Sequence, residues 1–275
     1  MSGAEAEARY EAEPGPVGTR FTEVRHFAEL DSTNRYLADL ARSAPRPGLV
    51  AVADHQTAGR GRLGRRWEAP PGTNLLVSVL LVPMMPVEAL HLCSVAVALA
   101  AADACRQATG LDPGLKWPND LVTGDRKLGG ILSESVPLDS GSRAVVVGLG
   151  LNVGWPSPDG EAGAAEVPDE LRTVATSIWR ETGTVVQPGD VLAALLTQLE
   201  PRLVALDDAE GRARMAGEYR GRCSTLSRPV RVVLPHGETA GTAVDITTEG
   251  HLIVDVGPCF VTVSAGDVVH VHPGG

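Results

Sequence analysis

The chain has 275 residues, of which 43% are hydrophobic and 21% are charged, which excludes a disordered protein and indicates a soluble globular one. Its formal net charge of −10 excludes a chain that binds nucleic acid nonspecifically through a broad basic surface. The four cysteines form no C-x-x-C pair, and we therefore expect free thiols, a reducing compartment and no zinc site.

The first half of the chain predicts alternating strands and helices behind an unstructured start. Residues 1–20 are acidic and contain proline and glycine, so we expect a disordered tail without a secretory signal, and a cytoplasmic location. Residues 87–104 form the longest apolar segment, but Glu88, His91, Ser94 and Asp103 interrupt it, so it is not a membrane span; a buried helix is expected over 87–109. The other predicted elements are strands over 22–27, 49–53 and 75–82 and a helix over 34–41.

The second half predicts further strands, two helices and a separate small domain. Strands are expected over 115–117, 121–123, 128–134 and 143–153, and helices over 191–206 and 212–219. After Gly221, short strands alternate with glycine turns, which is typical of a small β-barrel. We therefore expect a tail over 1–20, a larger domain over 21–221 and a small domain over 222–275.

An arginine-rich loop follows the predicted strand over 49–53. Four arginines fall within seven residues, interleaved with glycines and followed by Trp67; they are Arg60, Arg62, Arg65 and Arg66. Guanidinium groups suit carboxylate and phosphate, so the loop predicts an anion site, although a solvated surface turn has similar residues. The glycines also match the dinucleotide-binding fingerprint, but Pro70 and Pro71 follow so closely that the required helix cannot form.

Two further motifs contain a lysine, one beside polar side chains and the other beside two glycines. Residues 116–120 contain Lys116, Asn119 and Asp120 around a proline, which predicts a corner between two strands. Such a corner could bind phosphate directly and through magnesium, or it could be an ordinary turn beside a core tryptophan. Lys127 precedes Gly129 and Gly130 on a predicted strand, where a ligand could lie against the backbone; a surface lysine beside a β-bulge is the alternative.

The last two motifs are a polar helix start and a strand with alternate glycines. Residues 31–34 supply side chains that can cap a helix and also bond a small polar ring system. Gly148 and Gly150 leave one face of a predicted strand without side chains, either for a ligand or for close packing against a helix.

In this order and spacing, the five motifs resemble those of biotin–protein ligases. The matching strings are 31–34, 56–67, 116–121, 127–132 and 148–153, and the resemblance extends from about residue 20 to the C-terminus. It implies an α+β fold, in which a mixed β-sheet catalytic domain with flanking helices, similar to class II synthetases, precedes a small C-terminal SH3-like β-barrel. It also implies that ATP converts biotin to biotinyl-5′-AMP, and that the biotinyl group then passes to a specific lysine of a biotin carboxyl carrier domain.

The resemblance implies roles for individual residues. The contacts with biotin are expected from Ser32, Thr33, Asn34, Gln56, Arg60, Arg62, Lys127, Gly129, Gly130, Gly148 and Gly150. The contacts with ATP or the adenylate are expected from Arg62, Arg65, Trp67, Lys116, Asn119, Lys127 and Asn152. The expected catalytic residues are Lys127, Arg62 and Asp120, with Asp120 also a magnesium ligand and a base for the incoming lysine.

Partners and alternative functions also follow from the resemblance. Some family members carry an N-terminal helix-turn-helix domain, but the acidic residues 1–20 are too few for one, so we expect no DNA binding and no membrane partner. A lipoate or octanoate ligase of the same fold is an alternative, which the complete arginine–glycine string disfavours. A biotin sensor without turnover is another, which Lys127 and residues 116–120 disfavour. The oligomeric state stays open.

Overall fold

A mixed eight-stranded sheet forms the centre of the larger domain in the computed structural model, which describes residues 9–158, 165–234, 237–264 and 267–270. The strands are β1 (Glu11–Glu13), β2 (Glu23–Leu30), β3 (Leu49–Gln56), β4 (Leu75–Leu81), β5 (Gly114–Lys116), β6 (Asp120–Thr123), β7 (Arg126–Pro137) and β8 (Arg143–Leu151). Their spatial order is β1-β2-β3-β4-β8-β7-β6-β5. The β2–β3 pair is parallel and the other neighbours are antiparallel, which confirms the predicted mixed sheet.

Helices cover both faces of this sheet. They are α1 (Thr33–Ser43), α2 (Leu92–Thr109), α3 (Asp169–Arg172), α4 (Ile178–Thr182), α5 (Pro188–Ala205) and α6 (Ala209–Arg222). Side chains that alternate along β3, β4 and β8 divide between two apolar clusters, as strand geometry requires. One cluster contains α1, and the other contains α2, α5 and α6. Helix α1 therefore packs on one face of the sheet, and α2, α5 and α6 pack on the opposite face.

The apolar segment 87–109 is a buried helix, as its interrupting polar residues predict. It contains a 3-10 turn over Val87–Ala89 followed by α2. Gly110 ends the helix with a φ of 78°, and its N–H bonds to the Arg106 carbonyl. The segment is long and apolar enough to cross a membrane, but 78% of its most apolar stretch is buried inside the protein. Cys93 and Cys105 lie buried in α2 as free thiols, as predicted.

The expected disorder of the first 20 residues is wrong for residues 9–20. Residues 11–13 form β1, which pairs antiparallel with β2 through the register Glu11 to His26. Tyr10 packs on the buried Phe27, with ring centroids 5.5 Å apart, and the Arg25 guanidinium lies over the Tyr10 ring. These contacts come from β2, so the local composition of the segment could not indicate them. Residues 1–8 lie outside the described residues.

A buried carboxylate joins three helices on the α2 face. Asp103 of α2, 8% exposed, accepts hydrogen bonds from Arg106 at 2.6 Å, from Arg222 of α6 at 2.8 Å and from Arg202 of α5. Burial opposes ionisation of Asp103, but the hydrogen bond from Arg222 and the three positive charges outweigh it, so its pKa lies below the usual value.

A second sheet follows α6, which confirms the predicted small β-domain. It contains β9 (Pro229–Leu234), β10 (Gly237–Ile246), β11 (Leu252–Asp255), β12 (Phe260–Val263) and β13 (Asp267–His270) in the antiparallel order β12-β11-β10-β9-β13. The turn residue His236 lies outside the described residues. Buried side chains of this sheet, including Val232 and Leu252, belong to the same apolar cluster as α2. The small sheet therefore shares its core with the larger domain, as a unit of its size requires.

Candidate functional site

A chain of buried hydrogen bonds begins at the N-terminus of α1. Ser32 caps the helix, and its Oγ accepts from the Arg35 N–H. The Thr33 N–H donates to Gln56 Oε1 at the end of β3, at 2.8 Å. The Thr33 hydroxyl oxygen lies 2.7 Å from Ser78 Oγ on β4, and Ser78 Oγ donates to Asn34 Oδ1 at 2.7 Å. The polar side chains expected at the start of this helix are therefore held together on the α1 face of the sheet.

Ser78 is a site residue that the motifs do not include. Its side chain is fully buried and links Thr33 to Asn34. The sequence could have indicated Ser78, since it is the one hydroxyl in an otherwise apolar predicted strand. A buried hydroxyl needs hydrogen-bond partners, and so it points to other polar side chains nearby.

Gly148 on β8 makes room for Asn34. A Cβ atom at position 148 would lie 2.2 Å from Asn34 Oδ1, closer than any real contact. The Asn34 amide is held on its other side, because Nδ2 donates to the Leu132 carbonyl at 3.1 Å and to Glu134 Oε2 at 2.9 Å. The bare strand face at Gly148 thus accommodates the Asn34 side chain of α1, as in the close packing against a helix that the sequence allows besides a ligand.

The arginine loop closes on itself without forming a helix. Arg60 and Arg66 pair across it, and the Trp67 N–H donates to the Gly59 carbonyl at 3.0 Å. A 3-10 turn covers Arg62–Gly64 and the backbone is extended again at Arg65, which confirms the exclusion of a dinucleotide fingerprint. Leu63, at the tip, is 71% exposed and has a positive φ of 57°.

Two arginines join the loop to other strands of the large sheet or their connections. Arg60 Nη2 donates to both carboxylate oxygens of Glu134 on β7, at 3.0 and 2.9 Å, and Glu134 also bonds Asn34. Glu134 is a second residue outside the predicted site list, and a lone carboxylate on a predicted strand was too common a pattern to indicate it. Arg62 Nη1 donates to Asn119 Oδ1 at 3.1 Å, which joins the loop to residues 116–120.

Residues 116–120 form the predicted corner. They connect β5 to β6, with Lys116 opposite Asp120 in the hairpin register. Asn119 is anchored to β7, because its Nδ2 donates to the Ile131 carbonyl at 2.8 Å and its carbonyl accepts from the Ile131 N–H at 2.9 Å. Lys127 Nζ lies 2.7 Å from Asp120 Oδ1, so the two motifs share an ion pair. Lys116 and Lys127 are the only lysines in the sequence.

Trp67 covers the bare backbone beside Lys127. A Cβ atom on Gly150 would lie 2.5 Å from the Trp67 ring, and one on Gly130 would lie 3.0 Å from Lys127 Nζ. Lys127 Nζ is 5.5 Å from the centroid of the Trp67 ring. Gly129 packs against the Gly150 carbonyl on the neighbouring strand. The buried Trp67 Nε1 has no hydrogen-bond partner among the described residues, so it is a donor without an acceptor.

The side chain of Asn152, which is expected to contact the nucleotide, bonds other parts of the protein. Its Oδ1 accepts from Asn74 at 3.1 Å, and its Nδ2 donates to the Thr176 carbonyl at 2.9 Å. Asn74 Oδ1 in turn accepts the N–H groups of Val153 and Trp155, both at 3.0 Å. This buried network fixes the end of β8, so Asn152 supports the site from within the protein.

The described part of the chain contains no group of three or more His, Cys, Asp or Glu side chains that could hold a metal ion. The corner offers the Asp120 carboxylate, which is already paired with Lys127. This donor set fits magnesium that keeps substrate phosphates and water as its other ligands, and does not fit a cage built by the protein alone.

Comparisons with known proteins assign both parts of this fold. Residues 27–152 match the family model described as the biotin/lipoate A/B protein ligase family, and residues 225–271 match the biotin protein ligase C-terminal domain. The biotin protein ligase of Aquifex aeolicus, solved in complex with biotin and ATP, superposes with a TM-score of 0.74 at 26% identity, covering 90% of this chain and 97% of that one.

Two curated relatives have nearly the length of this chain. The biotin–[acetyl-CoA-carboxylase] ligase of Mycobacterium tuberculosis is 37% identical over 262 residues, which covers 93% of this chain and 92% of the relative. The Paracoccus denitrificans protein of the same name is 36% identical over 234 residues, covering 83% and 92%. The bifunctional ligase/repressor BirA of Bacillus subtilis is 32% identical over 173 residues, covering 63% of this chain and 51% of that protein.

The mixed sheet, the small second sheet and the paired cationic motifs define a protein ligase of the biotin/lipoate class. Within that class, the chain belongs to the biotin protein ligase family. The lipoate alternative loses support, because the relatives of similar length are named as biotin ligases.

Proposed function

We propose that the site on the α1 face carries out both steps of biotin ligation, with its polar end holding the biotin ring and its cationic end holding the nucleotide. In the first step, an oxygen of the biotin carboxylate attacks the α-phosphorus of ATP and pyrophosphate leaves. In the second step, the amine of an acceptor lysine attacks the acyl carbon, AMP leaves and the amine loses a proton. The Lys127–Asp120 pair at 2.7 Å, beside bare backbone, is the observation that carries the proposal.

The biotin ring is assigned to the hydrogen-bonded cluster at the start of α1. Thr33, Asn34 and Gln56 are buried or half-buried and are connected through Ser78, so their polar atoms are fixed before a ligand binds. A preorganised cluster of donors and acceptors costs little to order on binding, which suits a small polar ring. Ser32 contributes by capping the helix that carries this cluster.

The nucleotide and the acyl phosphate are assigned to the cationic end. Lys127 lies between the glycine-lined strands and the corner, where it can neutralise both biotin's carboxylate and the α-phosphate. Lys116, Arg62 and Asn119 are assigned to the remaining phosphate oxygens, since Arg62 bonds Asn119 and Lys116 lies opposite Asp120 in the hairpin. Trp67 Nε1, without an acceptor among the described residues, offers a further donor. Arg60 is assigned to biotin through Glu134 and Asn34, and the exposed Arg65 to the nucleotide.

Asp120 is assigned to the orientation of Lys127. Its carboxylate forms an ion pair with the Lys127 ammonium, which favours this role over removal of a proton from the incoming lysine. Magnesium supplies charge neutralisation on the triphosphate when it is bound, and Asp120 is the residue that would hold it.

We assign the acceptor to a biotin carboxyl carrier domain of acetyl-CoA carboxylase or a related carboxylase. We also infer a cytoplasmic reaction without a DNA partner, since Cys93, Cys105 and Cys223 are buried free thiols and the net charge is −10. Specific operator binding at physiological salt would overturn the second inference.

One assay tests the proposed function. The enzyme is incubated with labelled biotin, ATP, magnesium and a carboxyl carrier domain, and a carrier whose acceptor lysine is replaced by arginine serves as the control. Label is expected on the first carrier only, and lipoate should not replace biotin. A labelled adenylate without a labelled carrier would instead support a biotin sensor.

Gly148→Ala is expected to weaken biotin binding about 100-fold, because the new methyl group displaces the buried Asn34 amide and breaks its hydrogen bonds with Ser78 and Glu134. Calorimetric titration with biotin measures the effect. Gly217→Ala on α6 is the matched control, because a Cβ atom there contacts nothing within 4 Å and alanine favours helix. Equal affinities of the two variants would remove Asn34 and Gly148 from the biotin site.

Arg62→Ala is expected to release biotinyl-AMP about tenfold faster, because it cuts the hydrogen bond between the arginine loop and Asn119. The measurement is the rate at which labelled adenylate leaves the enzyme in the absence of carrier. Arg66→Ala is the control, since Arg66 lies on the same loop but pairs with the exposed Glu68. If both variants retain the adenylate as the unmodified enzyme does, the loop does not enclose it.

A further inference from the structure

The hairpin that contains the phosphate corner lies at the edge of the large sheet. β5 is the last strand in the spatial order, and within the sheet it pairs with β6. A three-residue edge strand has little stability of its own. Asn119 and Asp120 are held by β7, but Lys116 lies on this edge strand and needs support from outside the sheet to hold a fixed geometry.

The connection after α6 and the small sheet provide this support. Cys223 forms an isolated β-bridge with Leu115, and the Ser224 N–H donates to the Leu115 carbonyl at 2.8 Å. The Trp117 N–H donates to Thr225 Oγ1 at 3.0 Å, and the Trp117 indole Nε1 donates to the Gly250 carbonyl at 3.0 Å.

A fourth contact lies at the other end of β6. Arg228 Nη1, at the start of the small sheet, donates to Asp125 Oδ1 at 2.8 Å in the turn that precedes Lys127. The four contacts thus hold the hairpin at both ends.

The contacts of Trp117 are shielded from water. Trp117 is 3% exposed and Thr225 is fully buried. The Thr225 hydroxyl oxygen also lies 3.2 Å from His270 Nε2 on β13, so it is fixed from the small sheet. Breaking such a bond leaves a buried donor or acceptor unsatisfied, which costs more than breaking an exposed one. Trp117 therefore transmits the position of the small sheet to the corner.

We propose that the small C-terminal sheet positions the nucleotide half of the site, and that Trp117 is the positioning residue through which it acts. The proposal rests on the proposed function, in which Lys116, Asn119 and Asp120 face the phosphates. The biotin half is built from α1, β3, β4 and β8, and no hydrogen bond joins these elements to the small sheet among the residues that the structure describes. The two halves therefore depend differently on the second sheet.

The test uses two variants of the full chain. Trp117→Phe keeps an aromatic ring and removes the indole donor, and Thr225→Val removes the hydroxyl acceptor from the opposite side of the contact. Each is expected to raise the KM for ATP in adenylate formation about tenfold, as for the loss of one buried hydrogen bond. The Kd for biotin measured without ATP should stay within about twofold of its value in the unmodified enzyme. This second measurement separates the proposal from a general loosening of the fold, which would change both constants.

Arg220→Gln is the matched control. It removes the exposed ion pair between Arg220 on α6 and Asp245 on β10, which also joins the small sheet to the larger domain but does not touch the hairpin. Its KM for ATP should equal that of the unmodified enzyme. An unchanged KM in both variants, or a parallel loss of biotin affinity, overturns the proposal.

Thr225→Val decides the question if Trp117→Phe does not fold. Absence of carrier labelling by the unmodified enzyme would reject the proposed function instead.

Discussion

Lys127→Ala is expected to lower the rate of biotinyl-AMP formation by about 10²–10³-fold, the scale for loss of one charge-stabilising group. The reaction brings a carboxylate to a triphosphate, and Lys127 Nζ is the cation that lies against the glycine-lined strands. Its removal also leaves the Asp120 carboxylate without its cation, which adds negative charge where the nucleotide must bind. Rapid-quench measurement of adenylate at saturating biotin and ATP gives the rate.

Two variants make this result specific to Lys127. Lys127→Arg keeps the charge but changes its shape, and should recover part of the rate. Arg143→Gln removes a cation from the other end of β8, where it bonds Ser135, and should leave the rate unchanged. A rate for Lys127→Ala within threefold of the unmodified enzyme would reject the assignment.

Asp103→Asn is expected to lower the free energy of unfolding by about 3 kcal/mol, because it removes the one buried carboxylate that Arg202 and Arg222 share. Arg202 then keeps only the more exposed Glu218, and Arg222 keeps only Glu218 and Asp112. Arg202 and Arg222 have side-chain exposures of 13% and 17%. Urea unfolding at neutral pH measures the loss. Asp112→Asn is the control: Asp112 also pairs with Arg222, but it is 57% exposed, so its loss should change stability by less than about 1 kcal/mol.

The same aspartate predicts a pH dependence. Its pKa is lower in the folded chain than in the unfolded chain, so the unfolded chain takes up the proton first as the pH falls. The stabilisation by Asp103 is therefore complete above its unfolded pKa of about 4 and is lost as the pH falls through the folded value. The difference between the unmodified protein and Asp103→Asn should shrink across this acidic range. A constant difference would show that packing, and not charge, dominates.

Local patterns predict most of the larger domain because the signals lie within each element. The polar residues that interrupt the apolar run before Gly110 indicated a buried helix, and the prolines after the arginine loop excluded a dinucleotide fold. β1 was missed because its composition is acidic and its stability comes from pairing with β2, a contact that has no trace in residues 9–20.

The site was predictable where it consists of contiguous motifs. The position of Lys127 beside Asp120 depends on the register of the β6–β7 hairpin, which is shifted between Leu121 and Val122, and no local pattern specifies that shift. Ser78 and Glu134 were missed for the same reason, since their partners are brought near by the sheet. Asn152 shows the converse: its motif suggested a ligand, but its partners are in the protein.

The placement of the two lysines limits the sites at which the enzyme could biotinylate itself. Biotinyl-AMP acylates amines, and an enzyme that makes such a reagent is exposed to it at the highest concentration. Of the 24 lysines and arginines of this chain, 22 are arginines, whose guanidinium groups stay protonated and are poor nucleophiles. Of the two side-chain amines, Lys127 forms an ion pair with Asp120. Apart from the N-terminal amine, Lys116 and Lys127 are therefore the only amines of the chain that biotinyl-AMP could acylate, and both lie in the motifs of the site.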